Sequence, residues 1–281
     1  MQVTFCGTRG STPAPGPDFI RYGGHTSCVA LAHDAEPDRP VLLLDAGTGV
    51  RRVAGLLGDR PFQGTVLLTH LHWDHVQGLP FFEAGDRPDA TVRLLLPLDD
   101  EDSDPARLLA RMMSPPFFPI EPAQLRGAWR FEGLGEGSFD VEGFDVTARE
   151  VPHKGGTTLG FRLSDARSSL AYIPDHCPTA LGPGPDGLGA RHAGVLERSR
   201  GVDLLVHDAH LRAEEVEAEG AFGHAAAEYA VRLGAEATVG RVALFHHRPD
   251  RDDAEMDRTV CRFGEGPVPV IGAEEGSTLS L

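Results

Sequence analysis

Thr69-His70-Leu71-His72-Trp73-Asp74-His75 holds three imidazoles and a carboxylate within six residues, directly after the apolar run Val66-Leu67-Leu68. Imidazole nitrogens and carboxylate oxygens are donors that divalent metal ions take. In an extended segment His70 and His72 point the same way, because side chains alternate. Asp74 and His75 lie one step further on and can face a second point. The stretch can therefore serve two ions a few ångströms apart, the geometry of two-metal hydrolases. Further donors sit singly at the ends of apolar runs. His153 lies in Val151-Pro152-His153-Lys154-Gly155-Gly156, where the glycines leave room for a metal to approach. Asp175 ends Ala171-Tyr172-Ile173-Pro174-Asp175 and is placed to bridge two cations. His246 and His247 follow Val242-Ala243-Leu244-Phe245. Asp208 follows the run Leu204-Leu205-Val206-His207, and His224 opens Gly223-His224-Ala225-Ala226-Ala227-Glu228.

His-x-His-x-Asp-His after an apolar strand resembles the signature of the metallo-β-lactamase superfamily. The resemblance runs from Gly7 to the Asp252-Asp253 region. It implies that His70, His72 and His153 bind one ion, that Asp74, His75 and His246 bind the other, and that Asp175 bridges them. A slip of one residue would put His247 in place of His246. The donors are all N or O, which suits two Zn²⁺ ions and admits Mn²⁺ or Fe. Such a pair ionises a water that acts as nucleophile, and Asp74 is expected to orient it. Aspartate at position 175, where lactam-hydrolysing relatives often carry cysteine, points to the phosphodiesterase-like branches. Asp208 with His224 resembles ribonuclease Z and the related cyclic-nucleotide phosphodiesterases. The resemblance implies that Asp208 orients His224, which protonates the leaving alkoxide. The alternative is that His224 merely packs at a helix start. His207 and His210 stay ambiguous, and the loop at His210-Leu211 departs from the branch pattern. His176 reads as structural.

Gly7-Thr8-Arg9-Gly10-Ser11-Thr12-Pro13 and Arg21-Tyr22-Gly23-Gly24-His25-Thr26-Ser27-Cys28 resemble the same branch, with His25 where asparagine is usual. Arg9 and Arg21 are expected to steady loops, with phosphate contact as the alternative. Asp45, opening Asp45-x-Gly47-x-Gly49, is expected to hydrogen-bond behind the site.

These residues need strands that end at them. Strand-favouring runs fall at Val3–Cys6, Ser27–Leu31, Val41–Leu44, Val66–Leu68, Val92–Leu96, Ala128–Phe131, Phe139–Val141, Val146–Glu150, Leu159–Leu163, Ser169–Ile173, Leu204–Val206, Val242–Phe245 and Thr278–Leu281. Helices are expected at Val50–Leu57, Pro105–Met113, Gly189–Ser199, Ala213–Glu219, Ala225–Leu233 and Asp253–Phe263. Two clusters of strands with inserted helices predict an α/β architecture of two packed sheets covered by helices. In the superfamily this is the αββα sandwich of two mixed sheets, and residues 1–281 read as one such domain.

The chain has 281 residues and a formal net charge of -16. So acidic a surface is a poor partner for long nucleic acid. A small anionic substrate, a nucleotide foremost, remains accessible because metal ions supply local positive charge. Lys154 is the only lysine. Cys6, Cys28, Cys177 and Cys261 form no CxxC pair and read as small buried residues in a reducing compartment. No apolar run approaches the roughly 20 residues of a membrane span. Met1–Cys6 lacks the charged and apolar regions of a signal peptide, so the cytoplasm is expected. Phe117 and Phe118, in the stiff loop Ser114–Pro122, suit packing or a homodimer surface, with base stacking as the alternative. The expected activity is hydrolysis of a small phosphodiester, most plausibly a cyclic nucleotide. The rivals are an ester, thioester, lactone or lactam on the same metals, or a nucleotide-sensing protein with a vestigial site.

Overall fold

A computed structural model describes residues 1–98 and 104–281. Two seven-stranded sheets face each other. The first contains β1 (Gln2–Gly7), β2 (Cys28–Ala32), β3 (Leu42–Leu44), β4 (Gln63–Leu67), β5 (Thr91–Pro97), β6 (Ala128–Leu134) and β14 (Thr278–Ser280), in the order β14-β1-β2-β3-β4-β5-β6. The second contains β7 (Gly137–Val141), β8 (Phe144–Glu150), β9 (Leu159–Ser164), β10 (Ser169–Ile173), β11 (Leu204–Asp208), β12 (Val242–Phe245) and β13 (Val270–Gly272), in the order β13-β12-β11-β10-β9-β8-β7. Pairing is parallel from β3 to β6 and from β10 to β13, and antiparallel elsewhere.

The apolar runs are continuous because both faces of each central strand are covered. Leu42, Leu44 and Leu67 point into the layer between the sheets, where they meet Phe161, Tyr172, Val206 and Phe245. Leu43 and Val66 point outward onto α1 (Val53–Leu57), α2 (Trp73–Val76) and α3 (Pro105–Ala110). On the other side Ala171, Leu205 and Leu244 pack against α4 (Ala193–Ser199), α6 (Ala227–Glu236) and α7 (Asp253–Cys261). This is the expected αββα sandwich. β3, β4, β10, β11 and β12 finish at one edge, and the chain turns there at Asp45, Thr69, Pro174, Asp208 and His246. The carboxyl ends of parallel strands are where open α/β sheets place their ligand sites.

Several elements differ from the expectation. Residues 189–192 are not helical: Gly189 has φ +112° and the helix starts only at Ala193. The helix expected from Ala225 begins at Ala227 and runs to Glu236, so His224 lies in the loop before it. Helix α3 stops at Ala110, short of Met113. The segment 213–219 is a 3₁₀ turn followed by the single turn α5 (Val216–Glu219). Strand β13 was not expected, because Pro267 and Pro269 interrupt its approach. It survives as an edge strand, where a missing N–H costs no ladder bond. Cys261 is exposed, unlike the other three cysteines.

Candidate metal centre

The His-rich stretch begins extended and then coils. His72 is still extended, with ψ 149°, and α2 starts at Trp73. That single helical turn swings Asp74 and His75 to a second point while His70 and His72 keep the first. Asp74, an acidic residue in the first turn, also suits the positive end of the helix.

At the first point His70, His72 and His153 bring their donor atoms within 4.8 Å of one another. His153 donates Nδ1–H to the Gly223 carbonyl at 2.8 Å, which leaves Nε2 bare. That Nε2 lies 3.2 Å from His72 Nδ1 and 3.5 Å from Asp175 Oδ1. At the second point His75 Nε2 lies 3.4 Å from His246 Nε2, 3.4 Å from Asp74 Oδ2 and 3.0 Å from Asp175 Oδ2. His246 Nε2 lies 3.0 Å from Asp74 Oδ2 and 3.4 Å from Asp175 Oδ2. Bonds of about 2.0–2.1 Å to a tetrahedral ion would set its ligand atoms about 3.3 Å apart. The observed separations are of that size. Asp175 offers one oxygen to each point.

Two further observations favour a cation. His70 Nε2 and Asp175 Oδ2 are buried without a hydrogen-bond partner, a cost that an ion would remove. The charges also need one. Burial opposes the charge of Asp175, yet His246, His75 and His70 hold its carboxyl well below the usual range. Burial likewise opposes a charge on His75, yet Asp74, Asp175 and Asp45 raise it well above an ordinary histidine. His70, by contrast, is pushed well down by burial and then by His75. The donors fit a pair of divalent ions.

Asp45 fixes the donors. Its Oδ2 accepts from His75 Nδ1 at 2.8 Å and from the Tyr172 hydroxyl at 2.9 Å. Its Oδ1 accepts from the Thr69 amide at 2.7 Å and the Thr69 hydroxyl at 2.9 Å. The Thr69 hydroxyl in turn accepts from His70 Nδ1 at 3.0 Å. One carboxylate therefore sets the tautomer of both His75 and His70, so that each presents a bare Nε2. Asp45 has φ +60°, a conformation that a short polar side chain tolerates. The hydrogen-bonding role expected for it is what the structure shows. Thr69 and Tyr172 were not foreseen, although a tyrosine on the inward face of β10 needs a partner for its hydroxyl.

Other contacts close the site. The Ser11 amide donates to Asp74 Oδ2 at 2.7 Å. His246 has φ +58°, and its ring lies where a Cβ on Gly10 would be, 2.3 Å away. This position belongs to His246 and not to His247. The latter points away and donates Nε2–H to the Ala273 carbonyl at 2.8 Å. A Cβ on Gly155 would come within 2.8 Å of His72 Nε2, and Gly155 has φ +81°.

Asp208 is buried and saturated. It accepts from the amides of His176, His210 and Ala225 at 3.0, 3.0 and 3.2 Å, and from His224 Nδ1 at 3.2 Å. His224 Nδ1 also lies 3.6 Å from Asp175 Oδ1. Burial opposes the charge of His224, but Asp208, then Asp175 and Asp74, push its pKa up to about 9. His210 stacks on it with ring centroids 4.3 Å apart and anchors Nδ1 on the His246 carbonyl. His176 and His207 pair with each other at 3.1 Å and pack on Tyr229, apart from the donor clusters. Arg9 is buried on the carbonyls of Gly23, Arg248 and Arg251, and Arg21 pairs with Asp257 and Glu274. Both steady loops.

The family model for the beta-lactamase superfamily domain matches residues 41–247. The chain belongs to that superfamily, and it is a metal-dependent hydrolase. It is 23% identical over 328 residues to ribonuclease Z of Natronomonas pharaonis, covering 100% of this chain and 98% of that one. Among solved structures, the metallo-beta-lactamase fold protein YhfI from Bacillus subtilis superposes with a TM-score of 0.72 at 16% identity, covering 99% of each chain. A diphosphatase of the PhnP family superposes with a TM-score of 0.71 at 17% identity, covering 100% of this chain and 97% of its own. No helix among the described residues is long and apolar enough to cross a membrane.

Proposed function

We propose that this chain is a dinuclear phosphodiesterase of small substrates, most plausibly cyclic nucleotides, with two Zn²⁺ ions and with Mn²⁺ or Fe as alternatives. His70, His72 and His153 would hold one ion and Asp74, His75 and His246 the other, with Asp175 placed to serve both. The observation that carries the reading is the position of His224. It stands 3.6 Å from the bridging carboxylate, with its inner nitrogen tied to Asp208. An ester whose leaving group departs without help has no use for such a proton carrier. An alkoxide does. Relatives named ribonuclease Z support a phosphodiester over a lactam. When bound, the ions supply charge for the phosphoryl oxygens and acidify a water.

The residues of the chain do the rest. Asp74, held by the Ser11 amide, orients the attacking water. Asp208 fixes the His224 tautomer so that its outer nitrogen carries the proton to the leaving oxygen. Asp45 keeps two ligands aimed. The net charge of -16 opposes a long polyanion, so a nucleotide-sized ligand is preferred to RNA. We read the whole chain as one domain and as a homodimer. Phe117, 81% exposed, and Phe118, edge-on to Phe81, suit that contact.

A panel of cyclic and linear nucleotides, assayed separately with Zn²⁺ and Mn²⁺, tests the reading. Turnover of at least one diester is expected, with little on lactams or lactones. His224→Ala should lower cyclic-nucleotide turnover by about 10²–10⁴-fold. It should affect bis(p-nitrophenyl) phosphate much less, because p-nitrophenolate leaves without a proton. Equal losses on both substrates would remove His224 from the proton-transfer role.

A further inference from the structure

A cavity of about 480 Å³ opens beside His224, lined by Ser11, His210, Leu211, Phe222, Arg248 and Asp250 among others. Its size falls within the range of small-ligand sites and holds a group as large as a nucleoside. The inner wall is the metal centre's own edge: Ser11, whose amide binds Asp74, and His210 stacked on His224. The outer walls are two segments that leave that centre, the excursion 211–226 that carries His224 and the loop 247–252 following His246. Two ion pairs tie these walls together. Arg248 Nη1 donates to Glu219 Oε2 at 2.5 Å, and Arg251 Nη2 donates to Glu215 Oε2 at 2.7 Å.

The cavity has the wrong charge for a phosphate. Arg248, its one arginine, is already held by Glu219 and by Asp250, the latter at 2.8 Å. Away from His224, whose charge is paired with Asp208, one cation thus faces two carboxylates. At the rim Phe222 is 68% exposed, an apolar ring held over a polar cavity. The phosphoryl group would sit at the donor clusters, and this cavity suits an uncharged, hydroxylated ring attached to it. Its carboxylates can accept from hydroxyls, and Phe222 can stack on a base.

From this geometry we infer that the cavity between the 211–226 excursion and the 248–250 loop is the leaving-group subsite, built for a nucleoside, with Phe222 as stacking platform and the Glu219–Arg248–Asp250 cluster excluding a second phosphate. The inference rests on the phosphodiesterase reading. Water oxygen bonds to phosphorus, and the P–O bond to the group in the cavity breaks with its electron pair. That oxygen takes the outer proton of the His224 imidazolium and leaves as an alcohol, and the proton released by water returns the resulting imidazole to the imidazolium.

Two variants test it in the metal-loaded full chain, and neither residue belongs to the donor clusters. For Phe222→Ala, the ratio of kcat/KM on a cyclic nucleotide to kcat/KM on the base-free 3′,5′-cyclic ribose phosphate should fall about tenfold, mainly through KM. For Glu219→Gln, the cavity loses one negative charge and Arg248 is left with Asp250 alone. The kcat/KM ratio of the 5′-phosphorylated dinucleotide pTpT to unphosphorylated TpT should then rise at least about threefold over wild type. A merely structural role would lower all substrates together and leave both ratios at wild-type values, which would overturn the subsite. Failure of the underlying reading looks different: wild-type protein would turn over no phosphodiester at all, and the subsite would fall with it.

Discussion

At the scale of single residues, the sequence shows the donors better than it shows what aims them. His70, His72, Asp74 and His75 announce themselves by spacing, and His153, Asp175 and His246 by their places at strand ends. Asp45 is visible as a carboxylate before a glycine turn, but its four bonds are not. Every group facing it donates: His75 Nδ1, Tyr172 and, twice, Thr69. An amide cannot accept from all four. In Asp45→Asn, an NH₂ facing His75 would favour protonation of the wrong ring nitrogen, and an NH₂ facing Thr69 would leave two donors opposed. We expect this variant to fold yet to bind metal about 10–100-fold more weakly, the usual effect of removing such a support. Competition with a chromophoric chelator measures this. Wild-type affinity for both ions would show that His75 and His70 orient themselves without the carboxylate.

At the scale of elements, alternation and apolar runs locate the central strands, because Leu42-Leu43-Leu44 or Leu204-Leu205-Val206 cannot be anything but buried on both faces. The excursion 211–226 escapes that logic. The helix expected at Ala213–Glu219 is reduced to two short turns, and the rest of its order comes from ion pairs to Arg248 and Arg251, which no local pattern reveals. The same holds for β13, which is defined by pairing to β12 and not by its own composition. Glu215 is the pin of the excursion. It accepts from the Arg212 amide at 2.7 Å and from the nearly buried Arg251 at 2.7 Å. Burial would raise its pKa, but the Arg212 amide, then Arg251 and the Arg212 side chain, bring it down to about 2. A carboxyl with a depressed folded pKa stabilises above its unfolded value and loses that contribution as pH falls through the folded value. The window therefore runs from about 4.5 down to about 2. Glu215→Gln should be less stable than wild type by roughly 1–2 kcal/mol at pH 7, allowing for partial solvent screening. That gap should narrow as pH falls from 4.5 towards 3 in urea titrations. A gap independent of pH would mean that the amide suffices and the charge is idle.

At the scale of the whole molecule, the centre is a joint between the two layers. His70, His72, Asp74 and His75 follow β4 in the first sheet, whereas His153, Asp175 and His246 follow β8, β10 and β12 in the second. Either cage therefore draws donors from both sheets. Asp45, Asp74, Asp175 and Asp208 are all buried at this joint, at 0%, 6%, 1% and 0% exposure. Without cations, four carboxylates must be balanced by protonated histidines alone, and unpaired buried charge is costly. Metal that binds only the folded chain stabilises it by mass action, by about 4 kcal/mol when free metal exceeds Kd a thousandfold. For a chain of this size that corresponds to roughly 7 °C in Tm. Chelation should lower Tm by about that amount, and Zn²⁺ should restore it in a concentration-dependent way. Hydrogen exchange should quicken first at 69–76, 153–156, 209–226 and 246–251. The amides of β2 and β3, buried in the layer and paired on both sides, should stay protected. If chelated and metal-loaded protein melted together with the same exchange pattern, the sheets would be joined by the Asp45–Tyr172 bond and apolar packing alone, and the cages would contribute nothing to the fold.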